Sequence, residues 1–147
     1  MDQIFLNLKI AVDFDGTIVE HKYPDIGTEM LFAFQTLKKL QEIGCQLILW
    51  TFRSGKELEE AVNYCKKNGL EFYAVNKNYP EEEFNESISR KINADIYIDD
   101  KNVGGFPGWG EIWHMLDPDG INVRQEKLEA YYRDSWITKF RNLFKRN

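Results

Sequence analysis

Only two cysteines and two histidines occur among the 147 residues, so there is no cysteine–histidine cluster with zinc-ligand spacing and no disulfide framework. Cys45 and Cys65 each lie in or beside an apolar stretch and read as small core-filling side chains. No apolar run approaches the ~20 residues needed to cross a bilayer. The opening MDQIFLNLKI starts with an acid and interrupts its apolar residues with Asn and Lys, unlike a signal peptide. The expectation is a cytoplasmic protein with no membrane partner. Positive charge is also in short supply: 19 Lys and Arg stand against 24 Asp and Glu, a net charge of -5. That balance argues against a polyanion-binding surface, so nucleic acid is not an expected partner. No G-x-G-x-x-G opens the first helix, which argues against a dinucleotide oxidoreductase. Internal repeats, low-complexity segments and linkers are missing too. One domain over 1–147 is expected, with a core over about 1–123 and a helix over about 124–146.

What is present alternates between strand and helix patterns. Leu8 to Phe14 is a short apolar run ending in acids and glycine, the pattern of a buried strand. Thr28 reads as the N-cap of a helix through Ile43, with Leu31, Phe34, Leu37 and Leu40 on one face and Gly44 as its stop. QLILWT is a second strand ending at Thr51, and Ser54 with Glu57 has capping-box spacing for a helix to Asn68. Glu71 to Val75 predicts a third strand, a short helical piece carries Lys91, and ADIYI is a fourth strand running into Asp99 and Asp100. This order implies α/β architecture: a three-layer, Rossmann-like parallel sheet covered on both faces. A glycine-rich loop then leads to a short helix over about Trp109 to Leu116 and a turn at Asp117 to Gly120. Ile121 to Val123 is a candidate edge strand. From Gln125 the chain reads as an amphipathic helix with Leu128, Tyr131, Tyr132, Trp136, Phe140, Leu143 and Phe144 on one face. That face packs either on its own domain or against a second copy, as a homo-oligomer contact.

Ligands of open parallel sheets bind outside the carboxyl ends of the strands. Asp13 and Asp15 close the first strand, Thr51 the second, and Asp99 and Asp100 the fourth; Lys91 precedes the fourth. Up to four carboxylates around one point are strongly unfavourable unless a hard cation or protonation relieves them. Mg2+ with oxygen ligands suits such a set. A lysine and a hydroxyl then supply what a phosphoryl group needs. A carboxylate is already ionised at neutral pH and forms a labile acyl phosphate, so Asp13 is a plausible nucleophile with Asp15 as proton donor and acceptor. Gly16 permits a sharp exit from the strand, and Thr17 can tether the loop.

DFDGTI at Asp13 to Ile18, after an apolar strand, resembles the first motif of the haloacid dehalogenase superfamily of phosphohydrolases. Thr51 after LILW is similar to the second motif, Lys91 to the third, and IDD at Ile98 to Asp100 to the fourth. The resemblance covers roughly the first 105 residues. It implies that Asp13 is nucleophile and Mg2+ ligand, and that Asp15 is acid/base with its backbone carbonyl facing the metal. It further implies that Thr51 and Lys91 hold phosphoryl oxygens, with Phe52 and Arg53 counted beside them, and that Asp100 is the closer metal ligand with Asp99 in support. The spacings leave no room for a large cap domain, so a minimal, capless member is expected. His21, Lys22 and Tyr23 fall where these enzymes place a flap, and are candidates for contacting the leaving group. The partner is then a phosphorylated substrate. A nucleotide or nucleic-acid end phosphatase is one variant. Readings of another class are a phospho-accepting signalling module, which would carry its phosphorylated Asp on a later strand, and a non-catalytic binding module.

Overall fold

The computed structural model describes residues 7–117 together with Ala130 and Arg133. The first apolar run forms β1 (Lys9–Val12), whose Ile10, Ala11 and Val12 are buried. Strand β2 (Gln46–Leu49) lies parallel beside it, in register from Lys9↔Gln46 to Val12↔Leu49. On the other flank β4 (Ile96–Ile98) pairs with β1 from Ile10↔Ile96 to Val12↔Ile98, and the short β3 (Ala74–Val75) pairs with β2. The order is β3-β2-β1-β4, an all-parallel sheet compatible with a Rossmann-like α/β fold. Burial on both faces is why the strands read as continuous apolar runs rather than alternating ones.

Helix α1 (Ala33–Glu42) packs on β2, with Leu37 and Leu40 fully buried. Each such side chain stabilises the fold by about 1.5–3 kcal/mol. Helix α2 (Gly55–Lys67) buries Ala61 and Cys65. On one side of the sheet Ala11, Ile48 and Ala74 meet Ile92, with Trp50, Tyr73 and Tyr97 packed against them. Helix α3 spans Trp109–Leu116, as expected. The chain divides into two compact units, Met1–Trp109 and Gly110–Asn147. The sheet, α1, α2 and all the motif residues belong to the first. Among the described residues no helix is long and apolar enough to cross a membrane.

Four expectations about elements need correction. Thr28 does not cap a helix: its carbonyl accepts the Glu20 N–H at 2.8 Å, and Met30 N–H is spent on Ile18 at 2.9 Å. Residues 28–30 therefore pair with 18–20 to close a flap. The helix begins only at Ala33, after Phe32 in a left-handed conformation (φ 66°). Leu31 lies outside the helix, 75% exposed, and Glu29 Oε1 accepts the first-turn N–H of Phe34 at 3.3 Å. Ser54 is the N-cap of α2, but its side chain makes no capping hydrogen bond, so the capping box with Glu57 is not formed. The segment carrying Lys91 is not helical. Asn85 Oδ1 takes the Ser87 N–H at 2.9 Å and Asn78 Oδ1 takes the Asn93 N–H at 2.7 Å, diverting backbone donors that a helix would need. The third strand is also shorter than expected, two residues instead of five. The turn beyond Asp117, the candidate edge strand and the apolar face of the C-terminal helix lie outside the described residues.

Candidate active site

The register of β1 and β4 decides the site. Val12 and Ile98 are paired, and the ladder continues one step further, Asp13 N–H donating to Ile98 O at 2.9 Å. Asp13 and the Asp99–Asp100 pair therefore leave neighbouring strands at the same level. Each of the three offers one carboxylate oxygen, and these atoms lie within 4.8 Å of one another.

Several contacts hold this arrangement. Thr17 Oγ1 donates to Asp13 Oδ2 at 3.0 Å, and the buried Trp109 indole N–H donates to Thr17 O at 2.8 Å. Trp109 thus braces the loop that follows β1 from ninety-two residues away in sequence. Gly16 has φ +85°, and a Cβ there would stand 2.3 Å from Asp100 Oδ2. Two separate reasons require glycine: a left-handed backbone and the space taken by the Asp100 carboxylate. Gly16→Ala is expected to lower stability by about 1–3 kcal/mol and to displace Asp100 from its place beside Asp13 and Asp99. Denaturant unfolding measures the loss, and wild-type stability would contradict this account.

Burial, followed by the Asp99 charge and more weakly Asp100, pushes the Asp13 carboxyl from 3.8 up to about 7, despite hydrogen bonds from the Phe14 N–H and Thr17 that lower it. Asp100 Oδ1 is buried with no hydrogen-bond partner. Asp99, by contrast, spends Oδ1 on the Lys101 N–H at 2.8 Å. A buried, orphaned carboxylate oxygen costs about 1–3 kcal/mol or more. Hard oxygen donors in a repelling cluster fit a divalent cation, which would satisfy that oxygen and relieve the repulsion. Asp13 and Asp100 are the best-placed ligands on these grounds, with Asp99 beside them.

Asp15 faces another way. Arg53 Nε donates to its Oδ2 and Nη2 to its Oδ1, both at 2.7 Å, forming a bidentate fork. The other guanidinium hydrogens go to Pro24 O (2.9 Å), Asp25 O (2.7 Å) and Glu57 O (3.5 Å). The guanidinium also lies over the rings of Phe14 and Tyr23, at 5.0 and 5.3 Å from their centroids. With residue exposure of 1%, Arg53 is the hub joining the loop after β1, the flap and the start of α2. Its N–H groups are all engaged, so it is directed at Asp15 and not at a substrate phosphate.

A cleft of about 770 Å3 opens over these groups, lined by Asp13, Asp15, Asp99 and Asp100 on one side. Thr51, Phe52, Arg53, His21 and Tyr23, all expected, also line it, as do Trp50, Ser54, Asn76 and Lys101. Asn76, in a left-handed conformation (φ 53°), accepts the Thr51 N–H at 2.8 Å, and Thr51 Oγ1 accepts the Arg53 N–H at 3.2 Å. The Thr51 hydroxyl hydrogen keeps no acceptor among the described residues and can donate into the cleft.

Lys22 and Lys91 are not part of the lining. Lys91 is exposed, with its ammonium over the Tyr97 ring, 5.2 Å from the centroid. Tyr97 is itself tied back by its hydroxyl to Ile92 O. The lysine that stands beside the acids is Lys101, with Nζ 3.5 Å from Asp100 Oδ2. Sequence reasoning missed Lys101 and Trp109. For Lys101 a signal existed, because it directly follows the acidic pair; for Trp109 there was none, since its role depends on where the glycine-rich loop folds back.

No family model and no curated protein matches the chain. Among solved structures it is similar to a conserved protein coded by a locus of Bacteroides thetaiotaomicron, with 56% sequence identity and a TM-score of 0.72. The match covers 77% of this chain and 92% of that one. At that identity and coverage, the chain belongs to the same family as the conserved Bacteroides thetaiotaomicron protein.

Proposed function

We propose that this protein is a Mg2+-dependent phosphatase of the haloacid dehalogenase type that cleaves phosphate monoesters through an aspartyl-phosphate on Asp13. The observation that carries the reading is the convergence of Asp13, Asp99 and Asp100 at adjoining strand ends, with oxygens within 4.8 Å, beneath a cleft that also holds Asp15 and Thr51. Asp13, Asp99 and Asp100 would hold the Mg2+, which when bound supplies positive charge against both the acids and the phosphoryl oxygens.

The chain's own groups account for the remaining chemistry. An Asp13 oxygen attacks phosphorus, and the bond to the ester oxygen breaks as Asp15, which has to enter this step protonated, gives that oxygen its proton. Asp15 then takes a proton from the water that cleaves the acyl phosphate, regenerating Asp13 and releasing inorganic phosphate. Arg53 fixes the direction of Asp15 through its fork, and Thr17 fixes the Asp13 carboxylate. The Thr51 hydroxyl and Lys101 ammonium supply donors for phosphoryl oxygens from the rim. No helix or strand stands between β1 and α1, which accords with a capless site open to extended substrates.

Phosphate release from a panel of nucleotides, sugar phosphates, 3′-phosphorylated DNA, pyrophosphate and phosphopeptides tests the reading. Many turnovers per protein are expected with Mg2+, and none with excess chelator. A single stoichiometric phosphorylation without release would identify a phospho-accepting module instead, and no reaction with any ester would remove the proposal.

A further inference from the structure

Phe52 is 93% exposed, yet the chain on either side of it is firmly held. Thr51 is anchored through its N–H to Asn76, and Arg53 through its N–H to Thr51 Oγ1 and through its buried guanidinium. The backbone at Phe52 is thus fixed while its ring stands in solvent at the cleft wall. Single exposed apolar residues are ordinary, but this one has company. Tyr23, 46% exposed, lines the same cleft with its ring under the Arg53 guanidinium, and Trp50 lines it as well. Three aromatic side chains therefore edge a cleft whose floor is a cluster of acids. A phosphoryl group needs none of their rings.

We propose that Phe52, with Tyr23 and Trp50, is a stacking platform for a flat aromatic group carried by the phosphate ester, either a nucleobase or an aryl ring. The inference rests on the phosphatase reading in placing the phosphoryl group at Thr51 and the acids. Aromatic faces attract one another in offset or edge-on arrangements, and such stacking is tolerant of the identity of the ring. An adjacent position in the chain sets the two subsites side by side: Thr51 for phosphate, Phe52 for the ring. A saturated leaving group would gain nothing from this wall, so the platform is a device of selectivity.

Calorimetric titration with phenylphosphonate and methylphosphonate in Mg2+ isolates the ring, because the two share a head group that cannot be hydrolysed. Phenylphosphonate is expected to bind at least about tenfold more tightly, the scale of one stacking contact. Phe52→Ala should abolish most of that preference by weakening phenylphosphonate far more than methylphosphonate, while Phe52→Trp should retain it. In turnover, Phe52→Ala should raise KM for adenosine 5′-monophosphate and p-nitrophenyl phosphate by a much larger factor than KM for glycerol 1-phosphate. The larger of the two KM effects identifies nucleobase or aryl ring as the native partner. Equal binding of the two phosphonates, or an equal loss of both in Phe52→Ala, overturns the platform. Hydrolysis without ring preference leaves the phosphatase standing and refutes the platform. Ring preference without hydrolysis of any ester does the reverse. Failure to bind either phosphonate removes both.

Discussion

Asp13→Asn is expected to reduce turnover by at least about a thousandfold, the scale seen when a covalent nucleophile is removed, while the fold survives. Asn keeps the size of the side chain and can still accept the Thr17 hydroxyl bond, but its amide neither forms an acyl phosphate nor contributes charge to a cation. Single-turnover assays with the best substrate of the panel measure the loss, and equal activity would refute the assignment of Asp13. The same variant carries a stability signature. The folded carboxyl is raised from 3.8 to about 7 by burial and the neighbouring acids. Between those two values the folded state holds a proton that the unfolded state has released, so the metal-free protein loses stability as pH rises from about 4 to about 7. That displacement corresponds to about 2–4 kcal/mol after allowing for partial exposure of the group. Asp13→Asn should flatten that decline. Mg2+ should raise the wild-type melting temperature more at pH 8 than at pH 5, where protons compete for the same oxygen. Identical pH profiles for the two proteins would show that the charge cluster is not strained.

Arg53→Gln is expected to cost about 3–5 kcal/mol of stability, because it strands a carboxylate that now accepts two charged hydrogen bonds. The Arg53–Asp15 pair is shielded, with side-chain exposures of 0% and 13%. Removing the guanidinium also frees Pro24 O and Asp25 O, loosening the flap from the start of α2. Arg53→Lys should recover little, since an ammonium cannot make the fork. Urea unfolding of Arg53→Gln, Asp15→Asn and the double variant gives the coupling between them, expected above about 1 kcal/mol. Additive losses would mean that the fork contributes nothing specific. In activity, Arg53→Gln should lower kcat more than it raises KM, because Asp15 would lose its orientation while Thr51 and the acids remain in place.

Both expectations turn on how distant parts of the chain meet, and only some of that was legible beforehand. The strands announced themselves through apolar runs, each longer than the strand it formed, and the glycine after Asp15 through the sharp turn it permits. Gly44, at φ 100°, ends α1 where its position suggested. The start of α1 was not readable. Thr28 has the chemistry of a cap, but its backbone is already engaged by Glu20 in the flap, and local propensity yields to such a pairing. Lys91 illustrates the same limit: its place before the fourth strand suggested a phosphate ligand, whereas Tyr97 and Ile92 fold that segment so that the ammonium rests on a ring. A guanidinium beside Thr51 suits phosphate as well as carboxylate, and only the approach of Asp15 and the flap carbonyls decides between them.

By itself the amino-acid order determined the four strands, the three helices that flank or follow them, the parallel α/β architecture and the acids at strand ends, because each follows from local pattern and from the period of the elements. Tertiary structure alone decided which acids share a point, which lysine stands beside them, what Arg53 binds and how Trp109 braces Thr17. Those outcomes depend on strand register and loop path. A shift of one residue between β1 and β4 would carry Asp13 away from Asp100, and no local feature of either strand encodes that alignment.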